Sequence, residues 1–310
     1  MEGRKAGVAG TGRIGAGLAT LLAGNGFSVA VVGRRESSVT RCLAMVRENL
    51  DDLVRQGLLT SADRETIAGR ITGGVDYGSF TGCEMVMEAV SEEIAVKRSV
   101  FQQIEAAVEE QTMLVSATSA IPAAVISEHL RLPRRFAVAH PFQPSHLLPL
   151  IELVPGPKTD PAVLAQMKAW LEALGREVVV LKKDVPGFVV NRLAQALFRE
   201  ALYLVGQGVV TPADLDKAVK YAVGMRYANI GLLEYFDDVG FALEAEIAKS
   251  VYPSLCSAQE IAPIVRQGLR DGATGRSAGR GLYDWTEKDE QDYLKRKNAA
   301  FYGCFDWKQR

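Results

Sequence analysis

Cysteine, histidine and tryptophan are scarce in this chain of 310 residues. It contains four cysteines, three histidines and three tryptophans. The cysteines are far apart in sequence and form no C-x-x-C pair; they are Cys42, Cys83, Cys256 and Cys304. This spacing argues against a zinc site and against a disulfide framework. We therefore predict no metal, a reducing compartment and thiols with a structural role.

An excess of charge of one sign is also missing. Lysine and arginine number 36, aspartate and glutamate number 37, and the formal net charge is −1. Proteins that bind nucleic acids or membrane surfaces usually show a basic excess or a basic stripe. The sequence therefore predicts a small-molecule partner, with neither nucleic acid nor membrane.

Long hydrophobic runs are absent as well, and none reaches the length needed to cross a bilayer. The strand-like segment "KAGVAG" begins at Lys5 and leaves no room for a signal peptide, so we expect a cytoplasmic protein. Apolar residues nevertheless make up 48% of the chain, which is enough for a sizeable core. The length suits two domains.

Short apolar runs alternate with helical patterns in the first half of the chain. The runs are "AGVA", "FSVAVV", "EMVMEAV", "TMLVSA", "RFAVAH", "LIELV" and "EVVVLK". Strands that alternate with helices predict a parallel sheet covered on both faces, which is an α/β Rossmann-type doubly wound domain. Residues 37–69 are helical and mixed in charge, and we expect a helical pair that projects from this sheet, either as a solvated hairpin or as a wall of a substrate cleft.

Strand patterns stop after "DVPGF". A long helix follows to about Gly206, and Thr211 with Pro212 is typical of the start of another helix. The sequence therefore predicts a dinucleotide-binding domain over residues 1–184. An all-helical domain, for substrate binding and dimerisation, is predicted over residues 185–310.

The segment "VAGTGRIGAG" contains Gly10, Gly12 and Gly15 in G-x-G-x-x-G spacing between a strand and a helix, with Arg13 and Ile14 inside the motif. The first glycine permits a tight turn, the second lets the backbone approach a pyrophosphate, and the third lets helix and strand pack closely. The motif in this context predicts a dinucleotide site formed by these five residues.

The second strand ends where an NAD-binding chain usually carries an acid that binds the adenosine ribose. Here that place falls on Gly33, followed by Arg34 and Arg35. A glycine makes room for a 2′-phosphate and guanidinium groups pair with it, which favours NADP. The alternative is that both arginines are ordinary loop residues and that Glu36 holds NAD.

Candidate catalytic side chains follow three predicted elements. Hydroxyls follow one strand at Ser116, Thr118 and Ser119, while His140 ends another strand twelve residues before Glu152. Asn191 lies in the first turn of the long helix. Oxidation of an alcohol needs a base with a pKa near neutrality, and a histidine held by a carboxylate is a common solution. A strand-end histidine beside a carboxylate is also often a purely structural pair.

The order and spacing of the glycine loop, "EAVSEEIAVK", "TS", "HPFQP", "LIELV" and "DVPGFVVNRL" resemble the L-3-hydroxyacyl-CoA dehydrogenase family over nearly the whole chain. The segments "HPFQPSHLLPLIELVPG" and "GMRYANIGLLE" are closer to the branch that contains L-gulonate 3-dehydrogenase, lambda-crystallin and carnitine dehydrogenase than to the mitochondrial fatty-acid enzyme.

The resemblance implies a role for each matching residue. It makes His140 the base that takes the proton of the 3-hydroxyl, and Glu152 the carboxylate that orients its ring. Ser119 and Asn191 would hydrogen-bond the reacting oxygen. It places two residues near the nicotinamide half of the cofactor, namely Glu92 and Lys97. It also implies a homodimer formed through the helical domain.

Several positions depart from the family pattern and leave the substrate open. Ala117 and Gln143 stand where asparagine is common, and the segment "ENLDDLVRQ" offers no convincing counterpart of the serine and lysine that hold CoA. The leading substrate is a 3-hydroxyacyl thioester on CoA. The thioester could instead belong to a carrier protein, or the substrate could be a free 3-hydroxy acid bound through Arg226. We expect His129 and His146 to lie at the surface or at the rim of a cleft.

The sequence is also compatible with a protein that is not an enzyme. A crystallin-like structural protein or a dinucleotide sensor would keep the fold and the cofactor without turnover. The presence of all four candidate catalytic residues favours an enzyme.

Overall fold

The structure, a computed structural model, describes residues 3–303 and divides them into two compact units. One unit comprises residues 3–189 together with residues 295–303, and we call it the sheet unit. The other comprises Val190–Leu294, and we call it the helical unit. None of the helices among residues 3–303 is both long enough and apolar enough to cross a membrane.

The sheet unit contains an eight-stranded sheet with the order β3-β2-β1-β4-β5-β6-β7-β8. Its strands are β1 (Lys5–Ala9), β2 (Ser28–Val32), β3 (Ile71–Gly74), β4 (Met85–Glu88), β5 (Met113–Ser116), β6 (Phe136–Pro141), β7 (Leu150–Pro155) and β8 (Glu177–Val180). Seven of them coincide with predicted strands. The prediction missed β3, because its sequence "ITGG" is short, half glycine and partly exposed at the sheet edge.

The helices of this unit are α1 (Arg13–Gly24), α2 (Glu36–Arg55), α3 (Ser61–Gly69), α4 (Ile94–Ala107), α5 (Ala123–Ser127) and α6 (Pro161–Glu172). Successive buried strand residues point to opposite faces. Val8, Val31 and Met87 pack in one hydrophobic cluster with α1, α2 and α6, whereas Ala9 and Val86 pack in a second cluster with α4 and α5. The prediction of a doubly wound sheet covered on both faces is confirmed.

The sheet is parallel, as predicted, except at one pair of neighbours, because β6 and β7 are antiparallel. Parallel neighbours need a crossover connection of about a dozen residues or more, usually a helix, whereas antiparallel neighbours can be joined directly. Only the short irregular segment 142–149 joins β6 to β7. This reversal sets residues of the two strands opposite one another, with His140 paired to Glu152.

The predicted helical pair is present as α2 and α3, but it does not project from the sheet. One face of α2 is buried in the same cluster as α1 through Cys42, Val46, Leu50 and Leu53. The capping box of Thr60 and Asp63 begins α3. The pair therefore forms part of a helical layer instead of a free hairpin.

The helical unit is built of α7 (Val190–Gly206), α8 (Pro212–Ala218), α9 (Met225–Ile230), α10 (Leu232–Val239), α11 (Phe241–Val251), α12 (Pro263–Arg270) and the first residues of α13 (Glu290–Gly303). Thr211 caps α8 and Pro212 opens it, as predicted. Within Val190–Leu294, Leu202 is the only buried residue. Large apolar side chains lie exposed there, among them Leu233 (82%) and Phe241 (75%).

Candidate active site

The glycine loop lies between the end of β1 and the start of α1. Gly10 has a φ of +131°, and a Cβ there would overlap the Ala89 carbonyl oxygen. A Cβ at Gly15 would overlap the carbonyl of Gly10, whereas a Cβ at Gly12 would meet nothing within 4 Å. The first and third glycines are therefore required by conformation or close packing, and the second faces open space.

The start of α1 is suited to an anion. Gly12 is the N-cap and provides no side-chain acceptor, so the first amides of the helix are left for another partner. Arg13 is exposed in the first turn and Ile14 is partly buried. A pyrophosphate would satisfy these amides and would gain from the helix dipole. The loop therefore fits the phosphates of a dinucleotide.

The end of β2 carries no acid. Gly33 donates its N–H to the Gly74 carbonyl at 3.0 Å, and a Cβ there would lie 2.6 Å from the Thr11 methyl group. Arg34 and Arg35 are exposed, and no ion-pair partner for either guanidinium lies among the described residues. Gly33 is thus closely packed by Thr11, Val39 and Ser38, and two exposed arginines follow it in the chain.

His140 and Glu152 form a buried pair on β6 and β7. His140 Nδ1 lies 2.9 Å from Glu152 Oε2, and Glu152 Oε1 accepts the Val189 N–H at 2.8 Å. No hydrogen-bond partner of His140 Nε2 occurs in the described part of the chain. The carboxylate therefore sets the ring orientation and leaves Nε2 available to a ligand.

Two aromatic rings that the sequence analysis did not single out pack against this imidazole. The Phe142 ring lies 4.5 Å and the Phe188 ring 5.5 Å from the His140 ring, measured between centroids. Phe188 has a φ of +49°, which is unusual for a residue other than glycine. The turn signal "PG" before it was visible in the sequence, but the contact of its ring with His140 depends on the tertiary fold.

Ser119 lies on an exposed loop after β5, and Glu92 holds this loop. Glu92 Oε1 accepts hydrogen bonds from the Thr118 hydroxyl at 2.5 Å, the Ser119 N–H at 2.9 Å and the Ala120 N–H at 3.1 Å. Burial by itself raises the pKa of the Glu92 carboxyl, but the bond from Thr118 and the charge of Lys97 outweigh it, so the pKa lies below its usual value. Lys97 is buried, with Nζ 3.1 Å from Glu92 Oε2.

Asn191 and Arg226 belong to the helical unit. Asn191 is partly buried in the first turn of α7, as predicted. Arg226 is exposed on α9, with its guanidinium 4.8 Å from the centre of the Tyr235 ring. That Asn191 and Arg226 converge with His140 on one substrate stays a prediction.

The other two histidines differ in environment. His129 is exposed, as expected. The expectation for His146 is wrong, because its side chain is buried in the segment between β6 and β7. Burial lowers the pKa of its imidazole to about 4, the charge of Arg176 acts in the same direction, and Asp52 opposes it. The sequence segment "PSHLLP" gave no periodic signal from which this burial could be inferred.

The thiols of Cys42 and Cys83 are buried, and burial raises the pKa of each to about 11. Such thiols are protonated at neutral pH and unreactive. Cys256 is a free, partly buried cysteine, and Cys304 lies outside the described residues. No group of three or more metal-binding side chains occurs within residues 3–303.

A glycine loop fitted to a dinucleotide, with a histidine–carboxylate pair in the same sheet unit, defines a nicotinamide-dependent oxidoreductase. Comparison with known proteins agrees. Residues 5–185 match the NAD-binding domain of 3-hydroxyacyl-CoA dehydrogenase, and residues 187–285 match its C-terminal domain. The chain belongs to the 3-hydroxyacyl-CoA dehydrogenase family.

Two relatives of this chain are named for different substrates. The chain is 32% identical over 284 residues to 5-formyl-3-hydroxy-2-methylpyridine 4-carboxylate 5-dehydrogenase of Mesorhizobium japonicum, with 91% of each chain covered. It is 30% identical over 304 residues to L-carnitine dehydrogenase of Oceanobacillus iheyensis, with 94% of this chain and 96% of the relative covered.

A solved structure is similar along nearly the whole chain. It is a 5-formyl-3-hydroxy-2-methylpyridine 4-carboxylic acid 5-dehydrogenase, described as an NAD⁺-dependent dismutase. The TM-score is 0.86 at 29% identity, with 98% of this chain and 97% of the other covered.

Proposed function

We propose that this protein interconverts an L-3-hydroxyacyl and a 3-oxoacyl group, with His140 as the general base. The observation that carries the proposal is the 2.9 Å contact of His140 Nδ1 with Glu152, which leaves Nε2 free for the substrate. In the oxidation, Nε2 would take the proton of the 3-hydroxyl, and a bound nicotinamide would supply the acceptor for the hydride of C3 as the carbonyl forms. Glu152 stabilises the resulting imidazolium, and the reverse steps accomplish reduction.

Ser119 and Asn191 donate hydrogen bonds to the reacting oxygen in this proposal. Negative charge develops on that oxygen as its proton leaves, so fixed donors stabilise the transition state more than the ground state. Glu92 and Lys97 support the nicotinamide side of the site. The amides of the glycine loop would hold the phosphates of the nicotinamide cofactor.

The leading substrate is a 3-hydroxyacyl thioester on CoA, in line with the family description. A free 3-hydroxy acid is the second candidate, because two similar relatives are named for carnitine and for a pyridine carboxylate. Arg226 supports this second candidate as a cation without an ion-pair partner among the described residues. A carrier-bound thioester is a third form of the same acyl group.

We propose NADP as the preferred cofactor, with NAD as the alternative. The support is local: Gly33 replaces the ribose-binding acid, and the guanidinium groups of Arg34 and Arg35 are exposed beside it. A 2′-phosphate would pair with them. NAD is favoured by the name of the similar solved structure.

We also propose a homodimer formed through the helical unit. A folded unit of this size needs a hydrophobic core, yet Leu202 alone is buried within Val190–Leu294. Another molecule of the same protein is available wherever the protein is made, and it would cover the exposed apolar side chains. The functional division proposed with it is a cofactor domain over 1–184 and a substrate and dimerisation domain over 185–310.

A substrate screen tests the proposed function. Acetoacetyl-CoA, an acetoacetyl carrier protein and a set of free 3-oxo acids are offered with NADPH or NADH, and absorbance of the reduced cofactor is followed. We expect turnover of acetoacetyl-CoA with NADPH. Turnover of the free acids alone would support the second candidate. Tight cofactor binding without turnover of any compound would contradict the proposed function.

A further inference from the structure

Glu88 is a fully buried carboxylate that the proposed chemistry does not use. It is the last residue of β4 and pairs in register with Ala9 of β1, just before the glycine loop, and with Ser116 of β5. Its exposure is 0%. A buried charge is costly unless it is fully paired, so the partners of this carboxylate explain why it is tolerated.

Three donors surround the Glu88 carboxylate. Oε1 accepts the Val90 N–H at 2.7 Å and Lys97 Nζ at 2.9 Å, and Oε2 accepts the Ser116 hydroxyl at 2.6 Å. Lys97 is 1% exposed and Ser116 is 0% exposed. In this dry environment the interactions are strong, and each partner has little freedom to move.

Lys97 connects Glu88 to a second carboxylate. Its single ammonium group lies 2.9 Å from Glu88 and 3.1 Å from Glu92. Glu92 in turn accepts the backbone N–H groups of Ser119 and Ala120. A continuous chain of charge-assisted contacts therefore runs from the strand beside the glycine loop to the loop that carries Ser119.

We propose that Glu88 is a positioning residue, which acts through Lys97 and Glu92 to hold the Ser119 loop in place for the substrate. Shared between two carboxylates, the ammonium of Lys97 stays at a fixed position, and Glu92 stays with it. Without the charge at Glu88, the flexible lysine stem would let the ammonium move towards Glu92. The amides of Ser119 and Ala120 would then lose a fixed acceptor. This inference rests on the proposed role of Ser119.

The test is Glu88→Gln, which preserves the shape of the side chain and an oxygen for the Val90 N–H but removes the charge. The matched control is Glu84→Gln, directly before β4, where Glu84 accepts a hydrogen bond from Arg4 Nε at 2.7 Å. Hydrogen–deuterium exchange of the peptide that contains residues 117–121 is measured first, because it needs no substrate. We expect faster exchange in Glu88→Gln and unchanged exchange in Glu84→Gln.

Kinetics provide the second measurement, on whichever substrate the screen identifies. A displacement of about 1 Å at a positioned group can cost up to about 100-fold in rate, so we expect kcat to fall by about tenfold or more in Glu88→Gln. In a Ser119→Ala background the same substitution should have little further effect, because coupled residues are not additive. A purely structural role would instead lower activity equally in both backgrounds.

The outcomes separate this inference from the proposed function. Unchanged exchange in Glu88→Gln, or an equal loss of kcat with and without Ser119, overturns the positioning role even if the wild-type protein is active. An inactive wild-type protein overturns the proposed function, while faster exchange in Glu88→Gln would still support the link to the Ser119 loop. If Glu88→Gln fails to fold, Glu88→Asp replaces it, since this change shortens the side chain and withdraws its carboxylate from Lys97.

Discussion

The environment of each histidine decides what it can do. His140 has one ring nitrogen held by Glu152 and the other free, whereas His146 is enclosed and held neutral. His129 is exposed and serves as a natural control for substitutions at the other two. Sequence alone distinguishes these three residues poorly.

Replacing His140 tests the base directly. His140→Gln should abolish hydride transfer, because an amide cannot accept the proton of the alcohol at neutral pH. Cofactor affinity should stay nearly intact, since the glycine loop is untouched. Stopped-flow absorbance of the reduced cofactor and cofactor titration measure the two effects, with His129→Gln as the control. An active His140→Gln variant would refute the assigned role.

Acidification should destabilise the protein through His146. Its pKa is about 4 in the folded state against 6.5 for an unperturbed side chain, so between these values the unfolded chain binds a proton that the folded chain does not. The free energy of unfolding should therefore fall as pH decreases, by about 2 kcal/mol from this group between about pH 7 and pH 5. The contribution of His146 to stability is complete at pH values above its unfolded-state pKa. It is lost as the pH falls from that value towards the folded-state pKa.

Urea unfolding of His146→Gln at a fixed protein concentration checks this expectation. The variant should lose less stability than the wild type over the same pH interval, and His129→Gln should behave like the wild type. An identical pH dependence in all three proteins would contradict the burial of His146.

At the scale of elements, the segment between β6 and β7 packs against the first turns of α1. The Ser145 hydroxyl donates to the Ile14 carbonyl at 3.3 Å, and a Cβ at Gly17 would overlap that hydroxyl. The cofactor helix and the segment that follows His140 are thereby in direct contact.

Gly17→Ala should destabilise the protein by roughly 1–3 kcal/mol, as overpacking usually does. Ser145→Ala should restore most of this loss in the double variant, because the next contacts of the added Cβ are ordinary ones at 3.4 Å. Thermal unfolding of the two single variants and the double variant measures the coupling. A double variant as unstable as Gly17→Ala would show that the two elements do not meet in this way.

The connection from β2 to α2 carries the arginines on which the proposed preference for NADP rests. Replacing Arg34 and Arg35 with alanine should weaken NADPH binding by about tenfold or more, since each charge-assisted bond is worth roughly 1.5–3 kcal/mol. NADH affinity should change little. Arg41→Ala, on an exposed position of α2, is the control. Tighter binding of NADH than NADPH by the wild-type protein, in fluorescence titrations, would remove the argument from these arginines.

At the scale of the whole molecule, the two units differ in how they are stabilised. The sheet unit buries side chains on both faces of its sheet. The helical unit, within its described residues, buries Leu202 alone and exposes apolar residues along several helices. The helices of the second unit therefore leave much of their apolar surface uncovered.

Leu233→Glu tests the proposed dimer. The side chain is 82% exposed in a single chain, so a monomeric protein should tolerate the change. In a dimer it would bury an unpaired charge and shift the molecule towards the chain mass of 33.6 kDa. Light scattering measures the mass, with Val125→Glu in the sheet unit as the control. The proposed dimer would be contradicted if light scattering gave the mass of one chain for the wild-type protein. It would also be contradicted if the Leu233→Glu variant kept the mass of a dimer.

Local patterns predicted most of the sheet unit. Apolar runs located seven strands, and glycine spacing located the turn between β1 and α1. The prediction failed at β3, which is short and glycine-rich, and at the direction of β7, because strand direction depends on the connection and not on the strand itself. For the site, chain order singled out His140, Glu152, Glu92 and Ser119 but could not say which atoms would meet.

The sequence by itself determined the class of fold and the family, because both are expressed in short-range periodicity and in motifs with fixed spacing. Only the tertiary structure decided that Phe188 packs on His140, that His146 is buried and that Lys97 lies between two carboxylates. The physical reason is that hydrogen bonds, burial and side-chain contacts depend on distances between residues remote in sequence. Those distances exist only once the chain has folded.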